Sequence, residues 1–471
     1  MKVLITLPVA VLLTAAVHAG DPAWPQFRGP AGTGVADAEK IPVRIGPRDN
    51  VAWKVPVPSG FSSPVVVGDK LFLTAFEDKK LFTIAYARAD GKELWRKQAP
   101  AEKIEAFHKT EGSPAASTIA TDGERVVAYF GSCGLICYDL NGQEQWRFEM
   151  PMAESGLDFG SGTSPVLVDG LVILVRDLKN DARLLAVNVK TGSIVWETKR
   201  DGKATAWSSP TVWETPSGKQ LAIPGFGRMA GYDLKSGKEV WAVTGMPAAC
   251  CTTPVVADGN LVFAGWSPGE DFKLPSFDDL LKGNDKNGNG ALDKEEAANT
   301  FIKDFFDNND TNKDGKITRE EWDANAKFMA ASKNSSFVLK PGGIGDVTKT
   351  HVVWKQTKGL PYVPSPLVYR GQVYTVSMRG GVTARDVKTG KDVYLDEGVG
   401  LSGVYASPVA SNGNIYLFGL DGSVVVLEAG DSPTVVHRAK LGERVAATPA
   451  IVDGTLYVRT AKTLYAFAEK K

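Results

Sequence analysis

The stretch from Ser208 to Trp241 reads SSPTVWETPSGKQLAIPGFGRMAGYDLKSGKEVW. It opens on Ser208-Ser209-Pro210 and an apolar strand, and continues through a second apolar run, Gln220-Leu221-Ala222-Ile223. It ends on Gly231-Tyr232-Asp233, a tight turn at Ser236-Gly237 and a strand closing on Trp241. Glycine suits that turn because it reaches positive φ without a Cβ clash. The same module recurs along nearly the whole chain. Opening prolines stand at Pro64, Pro114, Pro165, Pro210, Pro254, Pro366, Pro408 and Pro449, with successive spacings of 50, 51, 45, 44, 112, 42 and 41. Turn-and-tryptophan tails run from Ala85 to Trp95, from Asn141-Gly142 to Trp146 and from Ala186 to Trp196. A further tail runs from Ala384 to Tyr394, where Tyr replaces Trp. The seventh unit has only a degenerate tail.

A period in the forties with about four short strands per unit is the signature of a β-propeller blade. Eight openings predict eight blades. The chain stops at Leu464-Tyr465-Ala466-Phe467, before the last blade has a fourth strand, while Asn50-Val51-Ala52-Trp53-Lys54 carries a spare Trp-bearing strand. The N-terminal strand is therefore expected to complete blade eight, which leaves no open gap in the ring. The tails resemble the Ala-x-Asp-x-x-Thr-Gly-Lys-x-x-Trp motif of pyrroloquinoline quinone (PQQ) type propellers. That resemblance implies an all-β, eight-bladed fold like quinoprotein alcohol dehydrogenase. It also implies that Trp53, Trp95, Trp146, Trp196, Trp241 and Trp354 dock against a neighbouring blade. Trp24-Pro25-Gln26-Phe27-Arg28-Gly29-Pro30 is similar to the opening segment of secreted PQQ-like propeller proteins of planctomycete-type bacteria.

Only the 112-residue spacing breaks the period, and it holds an insertion. Residues 1–19 read as a signal peptide and 20–49 as an N-terminal extension. Residues 50–268 and 336–471 form the two parts of the propeller, and 269–335 the insertion. The signal has Lys2, the apolar run Val3 to Val17, and a small-residue cleavage site after Ala19. Its apolar run is short for a bilayer span, and no Cys follows it, so no stable membrane anchor is expected. In this the chain departs from the lipid-anchored propeller subunit of the outer-membrane β-barrel assembly machinery. Export to the periplasm or beyond is the expectation. With 54 basic and 54 acidic residues, net charge near zero gives no reason to expect a nucleic-acid partner.

The insertion carries two twelve-residue acidic loops. Asp285-Lys286-Asn287-Gly288-Asn289-Gly290-Ala291-Leu292-Asp293 runs on to Glu296, and Asp310-Thr311-Asn312-Lys313-Asp314-Gly315-Lys316-Ile317-Thr318 runs on to Glu321. Each has oxygen side chains at positions 1, 3, 5 and 9, Gly at 6, an aliphatic residue at 8 and Glu at 12, the EF-hand pattern. Ca²⁺ takes about seven oxygens, and a loop winding round it offers alternate side chains. In the first loop Asp285, Asn287, Asn289, the carbonyl of Ala291, Asp293 and a bidentate Glu296 are the expected ligands. In the second they are Asp310, Asn312, Asp314, the carbonyl of Lys316, Thr318 and Glu321. Leu292 and Ile317 are expected to pair between the loops. One helix, about Ala297 to Phe306, is expected to join them.

Cysteines are four. Cys133 and Cys137 lie too far apart along a strand to bond unless a turn folds them back. Cys250-Cys251 resembles the adjacent-Cys disulfide beside the cofactor of PQQ-dependent alcohol dehydrogenases, and equally reads as two small residues at a strand start. The linkers carrying His108, Asp158, Trp207, Cys250, Tyr362, Tyr405 and Arg444 are expected on the face where the axial channel opens, with the insertion on that same face. The function expected is a secreted, calcium-binding, non-enzymatic binding or assembly platform. It would take a protein or small-molecule ligand on that face. The alternative is a PQQ-dependent quinoprotein oxidoreductase acting on an alcohol or sugar. No residue can be assigned from sequence to hold PQQ or to catalyse.

Overall fold

The computed structural model describes residues 24–37, 41–200, 205–269 and 274–469. The expected signal peptide lies outside the described residues. Among the described residues eight sheets form the blades, each of four antiparallel strands with a fifth strand added on blade four, and short first strands touch those of neighbouring blades around the axis. Blade one is Val65–Val67, Lys70–Glu77, Lys80–Ala87 and Glu93–Gln98, and blade four is Thr211–Thr215, Gly218–Pro224, Arg228–Asp233 and Glu239–Thr244. Blade eight closes as expected. Val51–Pro56 pairs antiparallel with the C-terminal strand Thr463–Ala468, with Trp53 opposite Ala466. Arg88 of blade one reinforces this joint, donating to Tyr457 Oη at 3.0 Å and pairing with Asp453 at 2.6 Å.

The ring is held at its centre by a closed circuit of hydrogen bonds. The backbone N–H of Ser63 donates to Thr118 Oγ1, that of Thr118 to Ser164 Oγ, and that of Ser164 to Ser209 Oγ. Ser209 donates to Thr253, Thr253 to Ser365, Ser365 to Ser407 and Ser407 to Thr448 in the same way. The amide of Thr448 then donates to Ser63 Oγ at 3.1 Å and completes the circle. Seven of these residues immediately precede an opening proline. In blade two the residue is Thr118, followed by Ile119, so Pro114 does not open that blade. The circuit requires a hydroxyl at this position, and Pro114 belongs to the preceding linker.

The repeat tryptophans do dock on the next blade, with one exception. Trp53, Trp95, Trp146, Trp196 and Trp354 donate their indole N–H to the carbonyls of Arg88, Leu140, Val189, Leu234 and Val387, each in the following blade. Each ring also lies against the turn glycine of that blade. A Cβ on Gly237 would come within 2.4 Å of Trp196, and one on Gly390 within 2.4 Å of Trp354. The turn glycine thus serves both its φ of +67° at Gly237 and the flat seat that the indole needs. The motif aspartate pins the turn from the other side. Asp233 Oδ1 accepts from the amide of Ser236 at 2.8 Å, and Asp386 from that of Thr389 at 2.7 Å.

Trp241 departs from this pattern. The loop between the last two strands of blade five is lengthened, and its Gly345–Asp346 pairs in parallel with Trp241-Ala242 as a fifth strand on blade four. No turn glycine is offered to Trp241. It turns into its own blade, donates to Gln220 Oε1 at 2.7 Å and meets Trp213 edge-on at 5.7 Å. Trp213 makes the link to blade five instead, donating to the carbonyl of Gly259.

Residues 24–36 cross the axis. Trp24 bridges Val66 of blade one, the carbonyl of Pro25 accepts from Thr121 of blade two, and Arg28 donates to the carbonyl of Pro366 of blade six. Ala36 and Gly34 bind the two main-chain groups of Ala410 in blade seven. Trp24 and Arg28 have no exposed surface. This segment plugs the axial channel.

Trp241 is 2% exposed, so Trp241→Ala is expected to cost about 3–5 kcal/mol. Chemical denaturation of the variant measures this. The loss should fall on the whole propeller, because Trp241 and Trp213 share one core with Leu261, Phe263, Phe337 and Leu339 of the second and third strands of blade five.

Candidate functional site

The channel left above the plug is a cavity of about 170 Å³. Its walls come from the inter-blade linkers: Phe61, Phe159, Trp207, Tyr362 and Tyr405 are the large side chains, with Glu111 and Cys251 between them. Six hydroxyl residues of the central circuit, Ser63, Thr118, Ser164, Ser209, Thr253 and Thr448, also line it, together with Phe27 of the plug. Trp207 is anchored by its indole N–H to the carbonyl of Gly160 at 2.7 Å and meets Phe159 edge-on. Tyr405 Oη donates to Glu111 Oε2 at 2.8 Å. Arg444 lies behind the wall, over the rings of Phe61 at 5.0 Å and Tyr405 at 5.8 Å, and donates to the carbonyl of Thr110.

Of the linker residues expected on this face, Trp207, Tyr362 and Tyr405 line the cavity. His108 stacks beside Phe159, and its Nδ1 accepts from the amide of Glu111. Asp158 ends a 3-10 turn with a φ of +51°. The cavity thiol is Cys251. Cys250 is buried and directed at the carbonyl of Pro247. All four cysteines are free, so the adjacent pair forms no disulfide. Burial pushes the Cys251 thiol up to about 12, with the negative charge of Glu111 acting in the same direction; it is not a nucleophile at neutral pH. Sequence reasoning missed Glu111 and Glu105, which sit in a linker with no repeat pattern to flag them.

Glu105 is 1% exposed. It accepts from the Ser161 amide at 3.0 Å and from Ser161 Oγ at 2.8 Å, behind the cavity wall. Burial raises its carboxyl to about 7 against those hydrogen bonds, which act to lower it.

The insertion leaves blade five between its second strand, Asn260–Gly265, and its third, Ser335–Leu339. Its own core gathers Phe277, Leu280, Leu292, Ile302, Phe306, Ile317 and Trp322. Leu292 pairs with Ile317, as expected. The joining helix differs from expectation: Lys294–Ala297 and Phe306–Asn309 are separate short helices with a 3-10 turn, Lys303–Phe305, between. Thr300 Oγ1 donates back to the carbonyl of Ala297 at 2.8 Å, and such side-chain competition disfavours a continuous helix here.

The two loops share one pattern of amide-to-side-chain bonds. Asp285 accepts from the amides of Asn289 and Gly290, and Asp310 from those of Asp314 and Gly315. Asn287 and Asn312 each accept from the amide two residues on, as do Asn289 and Asp314. Glu296 receives the amides of Lys286, Asn287 and Asp293, and Glu321 those of Thr311, Asn312 and Thr318. Asp293 and Thr318 cap the helices that follow, each within a reciprocal capping box. Burial works to raise the Glu321 carboxyl, but the hydrogen bonds from Thr318, Asn312 and Thr311 outweigh it and hold the group below its ordinary range. Among the described residues no group of three or more His, Cys, Asp or Glu side chains is arranged to hold a metal ion. Each loop carries side-chain amide oxygens alongside its carboxylates, oxygen donors of the kind a hard cation such as Ca²⁺ takes.

Comparison with known proteins finds similar propellers. Residues 47–159 and 120–270 match the family model described as outer membrane protein assembly factor BamB. The structure of BamB from Moraxella catarrhalis aligns over 88% of this chain and 98% of its own, at 14% identity and a TM-score of 0.54. Quinohemoprotein alcohol dehydrogenase from Comamonas testosteroni aligns over 96% of this chain and 81% of its own, at 14% identity and a TM-score of 0.61. A europium-containing methanol dehydrogenase aligns over 95% and 98%, at 13% identity and 0.60. At these identities the likeness shows the fold alone. No curated protein matches the chain. No helix among the described residues is long and apolar enough to cross a membrane.

Because the Glu105 carboxyl is raised from 4.5 to about 7, the folded state holds this proton more tightly than the unfolded chain does. Its contribution is therefore fully present below the ordinary glutamate range and is lost as pH rises through about 7. Glu105→Gln keeps the acceptor for the Ser161 amide and removes the titration. Urea midpoints of the two proteins should differ little at pH 4.5, and the variant should become the more stable as pH passes 7.

Proposed function

We propose that this chain is an exported, non-enzymatic propeller that presents its linker face as a binding platform and carries a calcium-binding EF-hand pair beside it. The observation that supports the platform reading is the cavity itself. Among the described residues that line it, Glu111 is the one carboxylate, and none is Lys or Arg. PQQ is a polycarboxylate, and a site for it needs cationic partners and a metal beside the quinone oxygens. The residues present do not fit it. The match to the BamB model adds support for a platform rather than a dehydrogenase.

In the insertion, Asp285, Asn287, Asn289, Glu296 and the carbonyl of Ala291 would hold one Ca²⁺. Asp310, Asn312, Asp314, Glu321 and the carbonyl of Lys316 would hold the other. Asp293 and Thr318, engaged as helix caps, would act through water. The ion would neutralise the carboxylates that each small loop gathers, and so couple binding to the folding of the module. The propeller has its own core and would not depend on the ion.

Three experiments test this reading. Calorimetry should give about two Ca²⁺ sites, and the double variant Glu296→Gln/Glu321→Gln should lose strong binding. Chelation should open residues 274–334 to proteolysis and leave the blades resistant. A double variant that still bound two ions would place the metal elsewhere. Titration with PQQ should give neither quinone absorbance on the protein nor dye reduction in the presence of alcohols, and a positive result would restore the dehydrogenase reading.

A further inference from the structure

The eight hydroxyls of the central circuit have a second property. Each accepts a backbone N–H from the preceding blade. A hydroxyl that accepts one bond still has its own proton to donate. Among the described residues none of the eight donates that proton to a protein acceptor. Six of these residues line the axial cavity, so its wall carries a set of unspent O–H donors. Its outer wall is aromatic, from Trp207, Tyr362, Tyr405, Phe61 and Phe159.

These two surfaces ask for a ligand with many oxygens and a flat apolar face. Charge narrows the choice. An anion would meet the carboxylate of Glu111 with no cation among the described lining residues to offset it. An organic cation would gain from Glu111 and the rings, but the guanidinium of Arg444 lies over Tyr405, whose hydroxyl is bonded to that same carboxylate. The two charges balance across one ring, which leaves the site neutral. At about 170 Å³ the cavity falls below the roughly 300–1,000 Å³ of pockets for drug-sized ligands.

We infer that the axial cavity binds one small, neutral, polyhydroxylated ring of monosaccharide size. Its C–H face lies on the Trp207, Tyr362 and Tyr405 wall, its hydroxyls on Glu111, and its remaining oxygens accept from the Ser/Thr ring. This deepens the platform reading and rests on it, because a quinone in the same cavity would exclude the sugar. Only the ligand class is assigned; no bond of the ligand is made or broken.

Saturation-transfer NMR on the full chain in Ca²⁺, with D-glucose, D-galactose and myo-inositol as probes, tests the inference. At least one probe should bind, in a roughly millimolar range. Glu111→Gln and Trp207→Leu should each weaken it at least tenfold while circular dichroism and melting stay unchanged. Should Trp207→Leu fail to fold, Ala116→Leu, which fills the cavity from its wall, should abolish binding in its place. Tetramethylammonium should give no signal. The inference is overturned if none of the three probes binds, if binding survives the variants undiminished, or if tetramethylammonium binds in their place. PQQ uptake with dye reduction would instead overturn the platform reading, whereas silence of both PQQ and the sugars overturns this inference alone.

Discussion

One circuit of eight amide-to-hydroxyl bonds sets the geometry of this molecule. A propeller blade cannot bury both of its faces alone, and its neighbours must be held at a fixed angle around the axis. Here each blade offers one hydroxyl at the start of its innermost strand and receives one from the blade that follows. The last bond joins Thr448 to Ser63, across the point where the chain's two ends meet. A buried bond of this kind contributes about 1 kcal/mol net, while an orphaned amide costs about 1–3 kcal/mol. A missing hydroxyl is therefore felt in two blades at once. Proline after the hydroxyl residue fits this arrangement, since its missing N–H leaves no further donor to satisfy at the crowded axis.

The outer edge is held differently. There the indole of one blade sits on the turn glycine of the next, and the two together make the repeat visible. Much of the fold was legible for that reason: blade number, the closing strand Val51–Pro56 and the place of the insertion all follow from spacing. The failures are equally physical. Pro114 drew the reading of blade two because proline is the conspicuous residue of the opening, whereas the circuit is built on the hydroxyl before it. Trp241 kept the motif but lost its partner, because the lengthened loop of blade five removed the glycine seat. That loss is written in a different blade, where a motif search on blade four does not look.

The functional face was less legible. Glu105, Glu111 and Cys251 lie on linkers that share no pattern from blade to blade, and their meaning arises only when eight linkers converge. Trp24 to Pro30 marked a family resemblance in sequence, yet the structural role of residues 24–36 as the axial plug depends on contacts with blades one, two, six and seven. The plug turns a channel into a blind cavity, and so makes the hydroxyl ring a wall available to a ligand. The insertion is the opposite case. Its loops are local, twelve residues each, and the twin hydrogen-bond networks around Glu296 and Glu321 follow from the spacing of residues within one loop.

The central claim is that the hydroxyl circuit is continuous and that Thr448 to Ser63 is a bond like the other seven. Native-state hydrogen exchange measures it directly. The amides of Ser63, Thr118, Ser164, Ser209, Thr253, Ser365, Ser407 and Thr448 are predicted to fall together in the slowest class, opening only with global unfolding. A fast-exchanging Thr448 beside seven protected amides would contradict the account, because the ring would then be open where its ends join.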